Sequence, residues 1–486
     1  MKTITIDPIT RLEGHGKISI FLDDAGEVER AVLQVPELRG FEAFVVGRLA
    51  EDLPQITSRI CGICPTAHHM ASVKALDDLF QVTPTPAARA VRELVYSAFL
   101  VEDHALHFYY LAAPDFLPGA DAPAASRNVL GLVAAVGKEV GLRLIDMRRR
   151  LRDLVAYAGG KATHPVLGVP GGVSRPIPES ERPKIRELAR DAVAFARDTL
   201  GIFHKVVLGN RATLDLIRSD GYSLTTYYMG LVDEQNRLSF YDGWLRVVGP
   251  DGAERARFAP RENATHLADH VEPWTYVTFP FLRRPGWRGF ADGPDSGIVR
   301  VAPLARLNAA VGMSTPLAQA EHDRMYEALG AKPVHHTLAN HWARLVELLY
   351  AAERLAELAE VPQLTDPEVR NLALKTPKEG VGVVEAPRGT LIHHYRTDER
   401  GVVTGCRLVV ATQHNAAALC LSIERAARAL IHGGVVTDGL LDRVEMAFRA
   451  YDPCLSCATH ALPGEMPLRV EVLDARGALL HRLERR

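Results

Sequence analysis

Apolar and polar residues alternate through the first 40 or so positions. "ITIDPITRLEGHGKISIFLDDAGEVERAVLQV" reads as strands broken by a "DDAG" turn. From about residue 87 the period changes. "PAARAVRELVYSAFLVEDHALHFYYLAA" spaces its apolar residues three and four apart behind a proline, which predicts a helix. "APDFLPGADAP" then reads as a loop. Helical patterns return across 126–160 and again from "PIPESERPKIRELARDAVAFARDTLGIFHKVVL", with Ser180 as its expected cap. Residues 220–300 are aromatic and β-branched, with Gly-Pro-Asp-Gly as a hairpin-like turn. Long helices follow at 315–360, and shorter ones at about 415–432 and 438–450. The tail "MPLRVEVLDARGALLHRLE" reads as two strands around a turn. The pattern predicts an α+β chain, predominantly helical, with an N-terminal β segment and a β-rich excursion around 220–300.

Composition narrows the class. The 486 residues exceed what one core of ordinary size needs. A hydrophobic share of 47%, 24% charged residues and a net charge of −2 fit a globular protein with no attraction to nucleic acid or an anionic membrane. No run approaches the ~18 consecutive apolar residues of a membrane-spanning helix. The first residues lack the apolar block of a secretory signal, so the expected location is the cytoplasm. The basic run "MRRRLR" at 147–152 reads as a solvated helix face.

Six cysteines are present, and four form two C-x-x-C pairs: Cys61 and Cys64 in "SRICGICPTAHH", Cys454 and Cys457 in "DPCLSCATH". Cys406 and Cys420 stand alone in apolar surroundings and read as small buried hydrophobes. Each pair can offer two thiolates to one metal from a single turn of backbone. Four thiolates suit a structural zinc, an iron–sulfur cluster or a soft catalytic metal; two separate dithiol redox motifs are a further reading. Charged residues also fall in unusual surroundings. Glu13 lies among glycines, Glu102, Asp103, His104 and His107 lie inside an apolar helix, and Arg388 lies between Pro387 and Gly389 after an apolar strand. Each taken alone also fits a capped turn, an ion pair or a core histidine.

Together, "DPITRLEGHG", "RICGIC", "EDHALHFYYLAAPDF", "EAPRGTLIHHY" and "DPCLSCATH" resemble the large subunit of nickel–iron hydrogenases, in order and over essentially the whole chain. "VPGGVS" and "DPCLSCATHALPGEMPL" resemble its cytoplasmic multimeric branch, the NAD-reducing and methyl-viologen-reducing types. The resemblance implies reversible heterolytic cleavage of H₂ by one catalytic domain over 1–460. It further implies nickel held by Cys61, Cys64, Cys454 and Cys457, with Cys64 and Cys457 bridging to an iron that carries CO and cyanide. Pro387, Arg388 and Thr412 would line the pocket around these ligands, and His68 would hydrogen-bond near a bridging cysteine. Glu13 would relay protons from Cys454, and Asp103 and Asp452 would hold Arg388. Glu42, His460 and the Leu408 carbonyl would bind magnesium. After "LVVAT" the chain departs from many relatives, reading Gln413, His414, Asn415.

Cys406 and Cys420 cannot build a cluster chain for the electrons, so an iron–sulfur partner is required. The resemblance makes that partner a small hydrogenase subunit, followed by a flavin-containing diaphorase or a heterodisulfide-reductase-type module. It also implies nickel chaperones and an endopeptidase that removes residues 461–486 after His460. Two other readings stand beside it. One is a metal-free structural subunit of a respiratory-complex-like assembly, which lacks the cysteines. The other is a structural four-cysteine zinc protein.

Overall fold

The computed structural model describes residues 2–330, 332–461, 468–473 and 478–485. Strands β1 (Lys2–Ile6), β2 (Lys17–Leu22) and β3 (Val28–Gln34) form an antiparallel sheet, as the alternation predicts. Helix α1 (Pro65–Leu79) begins directly after Cys64. Helix α2 (Pro86–Leu106) starts at its proline, with the Thr85 hydroxyl accepting from the Ala88 N–H. Beyond it the backbone continues in wide π-type turns over His107–Ala112, within the predicted helix, and over Asp115–Gly119, where composition predicts a loop. The buried guanidinium of Arg449 donates to both Asp115 carboxylate oxygens at 2.8 and 2.9 Å and anchors that turn. Helices α3 (Lys138–Gly159) and α4 (Arg182–Phe203) complete this half. Ser180 does not cap α4; it sits inside the tight turn Glu179–Glu181 that precedes the helix.

The β-rich excursion is real. Strands β4 (Tyr227–Val232), β5 (Trp244–Val248) and β6 (Glu254–Phe258) form an antiparallel run, with Val299–Arg300 added parallel to β4. Leu267–His270 and Phe279–Leu282 pair separately. Helices α5 (Pro303–Ala309) and α6 (Asn340–Glu360) return to the body, where α6 packs against both α2 and α4. Every residue of α5 is buried.

Strands β7 (Glu379–Ala386), β8 (Gly389–Thr397) and β9 (Val403–Val409) form a second antiparallel sheet pressed onto α1. The "EGVGVV" glycines permit that approach: a Cβ at Gly382 would lie 1.9 Å from the Ala71 carbonyl oxygen. Helix α7 (Ala411–Leu430) starts earlier than periodicity predicts, because the Gln413 side chain reaches back to the Val410 N–H at 3.0 Å. Helix α8 (Asp438–Arg449) follows, and β10 (Leu468–Leu473) pairs antiparallel with β11 (Leu479–Arg485), the predicted tail hairpin. The basic run 147–152 is internally paired through Arg148 to Glu102 and Arg150 to Asp191, the solvated-face reading in its paired form. Among the described residues, no helix is long and apolar enough to cross a membrane.

Candidate metal centre

The two cysteine pairs enter one buried volume from opposite ends of the chain. Cys64 occupies the turn that opens α1, and Cys454 opens the short helix Leu455–Ala458. All four sulfurs lie within 4.8 Å of one another. Cys61 and Cys454 approach to 3.4 Å, Cys64 and Cys457 to 3.5 Å, and Cys454 and Cys457 to 2.7 Å. The N–H groups of Ile63 and Cys64 both point at the Cys61 sulfur at 3.2 Å. Burial pushes the Cys454 and Cys457 thiols far up; every neighbouring cysteine adds to this at Cys454, while at Cys457 the bond with Cys454 opposes it and Cys61 and Cys64 add to it. Cys61 moves the other way against its own burial, because Cys454, Cys457, Cys64 and Arg388 favour its thiolate. One soft cation among the sulfurs resolves this conflict by stabilising all four as thiolates. The donor set fits a thiolate-rich metal centre.

Glu13 lies against this cluster. Its carbonyl accepts from the Leu455 N–H at 2.9 Å, and Glu13 and Cys454 form an isolated parallel bridge. Its carboxylate accepts from the Cys454 thiol at 2.8 Å and from the Ser456 N–H at 3.3 Å. Gly14 explains the local sequence: it adopts φ +87°, and a Cβ there would meet the Ser456 nitrogen at 2.8 Å. Burial raises the Glu13 carboxyl above its usual range, and the charge of Cys61 adds to the effect. The Ser456 hydroxyl donates to Glu37 at 3.2 Å, and Glu37 also holds the His15 ring. The His15 side chain is 78% exposed, so this line of polar groups ends in solvent. Sequence reasoning missed Glu37 and His15; the glutamate in "VPELRG" carries no local signal.

Arg388 stands on another side. Its guanidinium pairs with Asp103 at 3.1 Å and with Asp452 at 2.9 Å, and its Nε donates to the Asp452 carbonyl at 2.9 Å. Burial works against its charge, but Asp103 and Asp452 overcome this and hold it protonated above its usual range. Asp452 adopts φ 55°, a left-handed conformation that turns both its carbonyl and its carboxylate towards the arginine. Pro387 and Arg388 are the two turn residues between β7 and β8. Thr412 is also at the site: its hydroxyl accepts from the Cys454 N–H at 3.0 Å.

The remaining expected residues gather nearby. His460 Nδ1 lies 3.3 Å from the Glu42 carboxylate, and its carbonyl accepts from the Glu42 N–H at 3.2 Å. Leu408 reaches Glu42 through its N–H at 2.5 Å. Gln413, the first residue of the departure after Thr412, joins this group: its side-chain oxygen lies 2.8 Å from His460 Nε2. Asn415 donates to the Arg388 carbonyl at 3.0 Å. His68 turns Nδ1 to His393 at 3.2 Å rather than to a cysteine, and His393 continues to Tyr395 at 2.6 Å. Burial pulls His68 down to about 4, which keeps it neutral.

A family model for nickel-dependent hydrogenase matches residues 39–139 and 228–460, and a HoxL-like model matches 3–38. The chain is 45% identical over 482 residues to an iron-sulfur subunit of the F420-non-reducing hydrogenase of Archaeoglobus profundus, covering 99% of each chain. It is 39% identical over 497 residues to the beta subunit of the NAD-reducing hydrogenase HoxS of Cupriavidus necator, again covering 99% of each. Among solved structures, an NAD⁺-reducing [NiFe]-hydrogenase in the H₂-reduced state superposes with TM-score 0.88 at 37% identity, over 95% of this chain and 100% of that one. A [NiFeSe]-hydrogenase of Dm. baculatum gives TM-score 0.74 at 25% identity, over 94% and 100%. The chain therefore belongs to the nickel-dependent hydrogenases, as the catalytic large component of the nickel–iron type.

Proposed function

We propose that Cys61, Cys64, Cys454 and Cys457 would hold the nickel–iron centre, whose iron would carry CO and cyanide. When bound, this centre supplies the soft electrophile that polarises H₂. The protein's part is to take away the proton. The sulfur of Cys454 receives it and passes it to Glu13, 2.8 Å away. A carboxyl raised by burial accepts and releases protons nearer neutral pH than an exposed one. Ser456 fixes Glu13 through its backbone N–H and Glu37 through its hydroxyl, which sets Glu37 and the exposed His15 on the outward side of Glu13; on that route the hydroxyl, not the amide, would carry the proton between the two carboxylates. Arg388 cannot serve readily as a base, since guanidinium stays protonated. Held by Asp103 and Asp452, it presents fixed positive charge beside Pro387 and Thr412, where the diatomic ligands would lie. Glu42, His460 and the Leu408 carbonyl would bind magnesium, with Gln413 orienting His460.

The electrons leave through a partner. Cys406 lies on β9 and Cys420 on α7, apart from each other and from the four-cysteine cluster, so an iron–sulfur small subunit has to carry the current. Relatives named as subunits of NAD-reducing and F420-non-reducing hydrogenases support a multimeric enzyme; a flavin-containing diaphorase or heterodisulfide-reductase-type module would take the electrons from the small subunit. Location in the cytoplasm fits the same reading. Nickel chaperones load the site, and an endopeptidase then removes residues 461–486. The mass of the matured chain tests this, since it should end at His460.

The observation that carries the proposal is the Glu13–Cys454 contact inside a buried four-thiol cluster. Metal analysis of the matured multimer, paired with H₂-dependent dye reduction, tests it. Nickel and iron together with activity are expected; zinc alone would overturn it.

A further inference from the structure

The turn that carries Arg388 is buried, and a buried turn must find hydrogen-bond donors for its carbonyls without water. Ala386, Pro387 and Arg388 present three such carbonyls. Asn415 on α7 supplies one donor, to Arg388. A single side chain on α5 donates to the other two. Arg306 Nη1 donates to the Ala386 carbonyl at 2.5 Å, and Nη2 to the Pro387 carbonyl at 3.2 Å.

Arg306 is itself locked. It has no solvent exposure and makes a two-point pair with Glu347 on α6, Nε to Oε1 at 2.8 Å and Nη2 to Oε2 at 2.5 Å. A third contact joins Nη1 to Glu385 at 3.0 Å, and Glu385 in turn accepts from the Leu231 N–H and the Thr390 hydroxyl. Glu347 also lies 3.2 Å from His104 Nε2. His104 is the neighbour on α2 of Asp103, the acid that grips Arg388. The planar fork thus joins three things: the backbone of the Arg388 turn, Glu385 on the strand before it, and Glu347 on α6, which in turn lies beside His104 on α2.

We propose that Arg306 is a positioning residue for the hydrogenase site, setting where the Arg388 guanidinium stands by clamping the Ala386 and Pro387 carbonyls. This rests on the reading of Arg388 as a residue lining the diatomic ligands. A lysine keeps the charge but is a point donor without the fork, so it cannot hold both carboxylates and both carbonyls together. Loss of the clamp frees the turn, and Arg388 moves relative to Asp103.

The test is Arg306→Lys in the assembled, metal-loaded enzyme, with Arg182→Lys as a matched control. Arg182 is also buried and clamps two carbonyls, those of Ala359 and Val361, but away from the site. Two readouts are taken. A crystal structure of R306K should show Arg388 displaced from Asp103, a result that needs no metal. The infrared CO stretch should shift and turnover should fall about 10²-fold, as for a catalytic group misplaced by about 1 Å. R182K should leave both unchanged. If R306K fails to accumulate, Glu385→Gln serves instead, since its amide faces Arg306 Nη1 with a donor and pushes the clamp away. An Arg388–Asp103 contact and CO stretch identical to wild type in the folded variant would overturn the proposal. The crystallographic result stands whatever ligands the iron carries, so failure of this inference is separable from failure of the nickel–iron reading.

Discussion

Glu13 and Cys454 meet twice: their backbones form a parallel bridge, and the Cys454 thiol donates to the Glu13 carboxylate at 2.8 Å. A sheet-like contact at one end of the chain therefore sets a proton-transfer distance at the other. Glu13→Gln keeps the shape and removes the base. Turnover should drop about 10²–10⁴-fold, the usual worth of a positioned acid–base group, with nickel and iron content unchanged. The pH dependence follows from the sign of the shift. Burial raises the Glu13 carboxyl, so in wild type H₂ oxidation should decline as pH falls through that raised value, where the carboxylate becomes protonated and stops accepting. A full pH–rate profile measures both.

The outward route is tested downstream. Glu37→Gln removes the titratable carboxylate that stands between Ser456 and the exposed His15 without touching the cysteines. Turnover should fall by about tenfold, less than for Glu13→Gln, because water can partly replace an outer relay. Adding imidazole should restore part of the loss in a His15→Ala variant, and stopped-flow pH-indicator traces would follow the proton directly.

Arg388→Lys should cost stability as well as rate. One ammonium cannot satisfy Asp103 and Asp452 with the geometry of the fork, and it leaves a buried carboxylate short of a partner. Breaking a buried pair in this way typically costs about 3–5 kcal/mol. Thermal unfolding of the metal-loaded variant should begin well below wild type.

The four cysteines are legible in the sequence because their chemistry is local, whereas Glu13 and Arg388, which alone also fit a capped turn or an ion pair, stand out through the family resemblance. A C-x-x-C turn brings two sulfurs together by itself. Glycines beside a glutamate, or a proline and glycine around an arginine, mark backbone that something must approach closely. Arg306 gives no such signal. Nothing in "PLARLNAA" marks it, and its partners Glu347 and Glu385 become visible only when α5, α6 and β7 converge. Gln413 is a second case, visible as a departure but not as the partner of His460. The wide turn at Asp115 is a third: its proline and glycine predict a loop, and a distant arginine makes it helical.

The magnesium assignment has its own test. Glu42 is the carboxylate that meets His460, so Glu42→Gln should release magnesium while leaving nickel and iron bound. Elemental analysis of the purified variant reports all three metals together. Retention of magnesium at the wild-type level would remove Glu42 from its ligand set.

The infrared spectrum of the matured, multimeric enzyme tests the central claim most directly. A nickel–iron centre held by Cys61, Cys64, Cys454 and Cys457, with Arg388 and Thr412 around the iron, predicts one CO stretch and cyanide stretches that move when H₂ is added. An active preparation with no bands in that window, and zinc as its only metal, would contradict it.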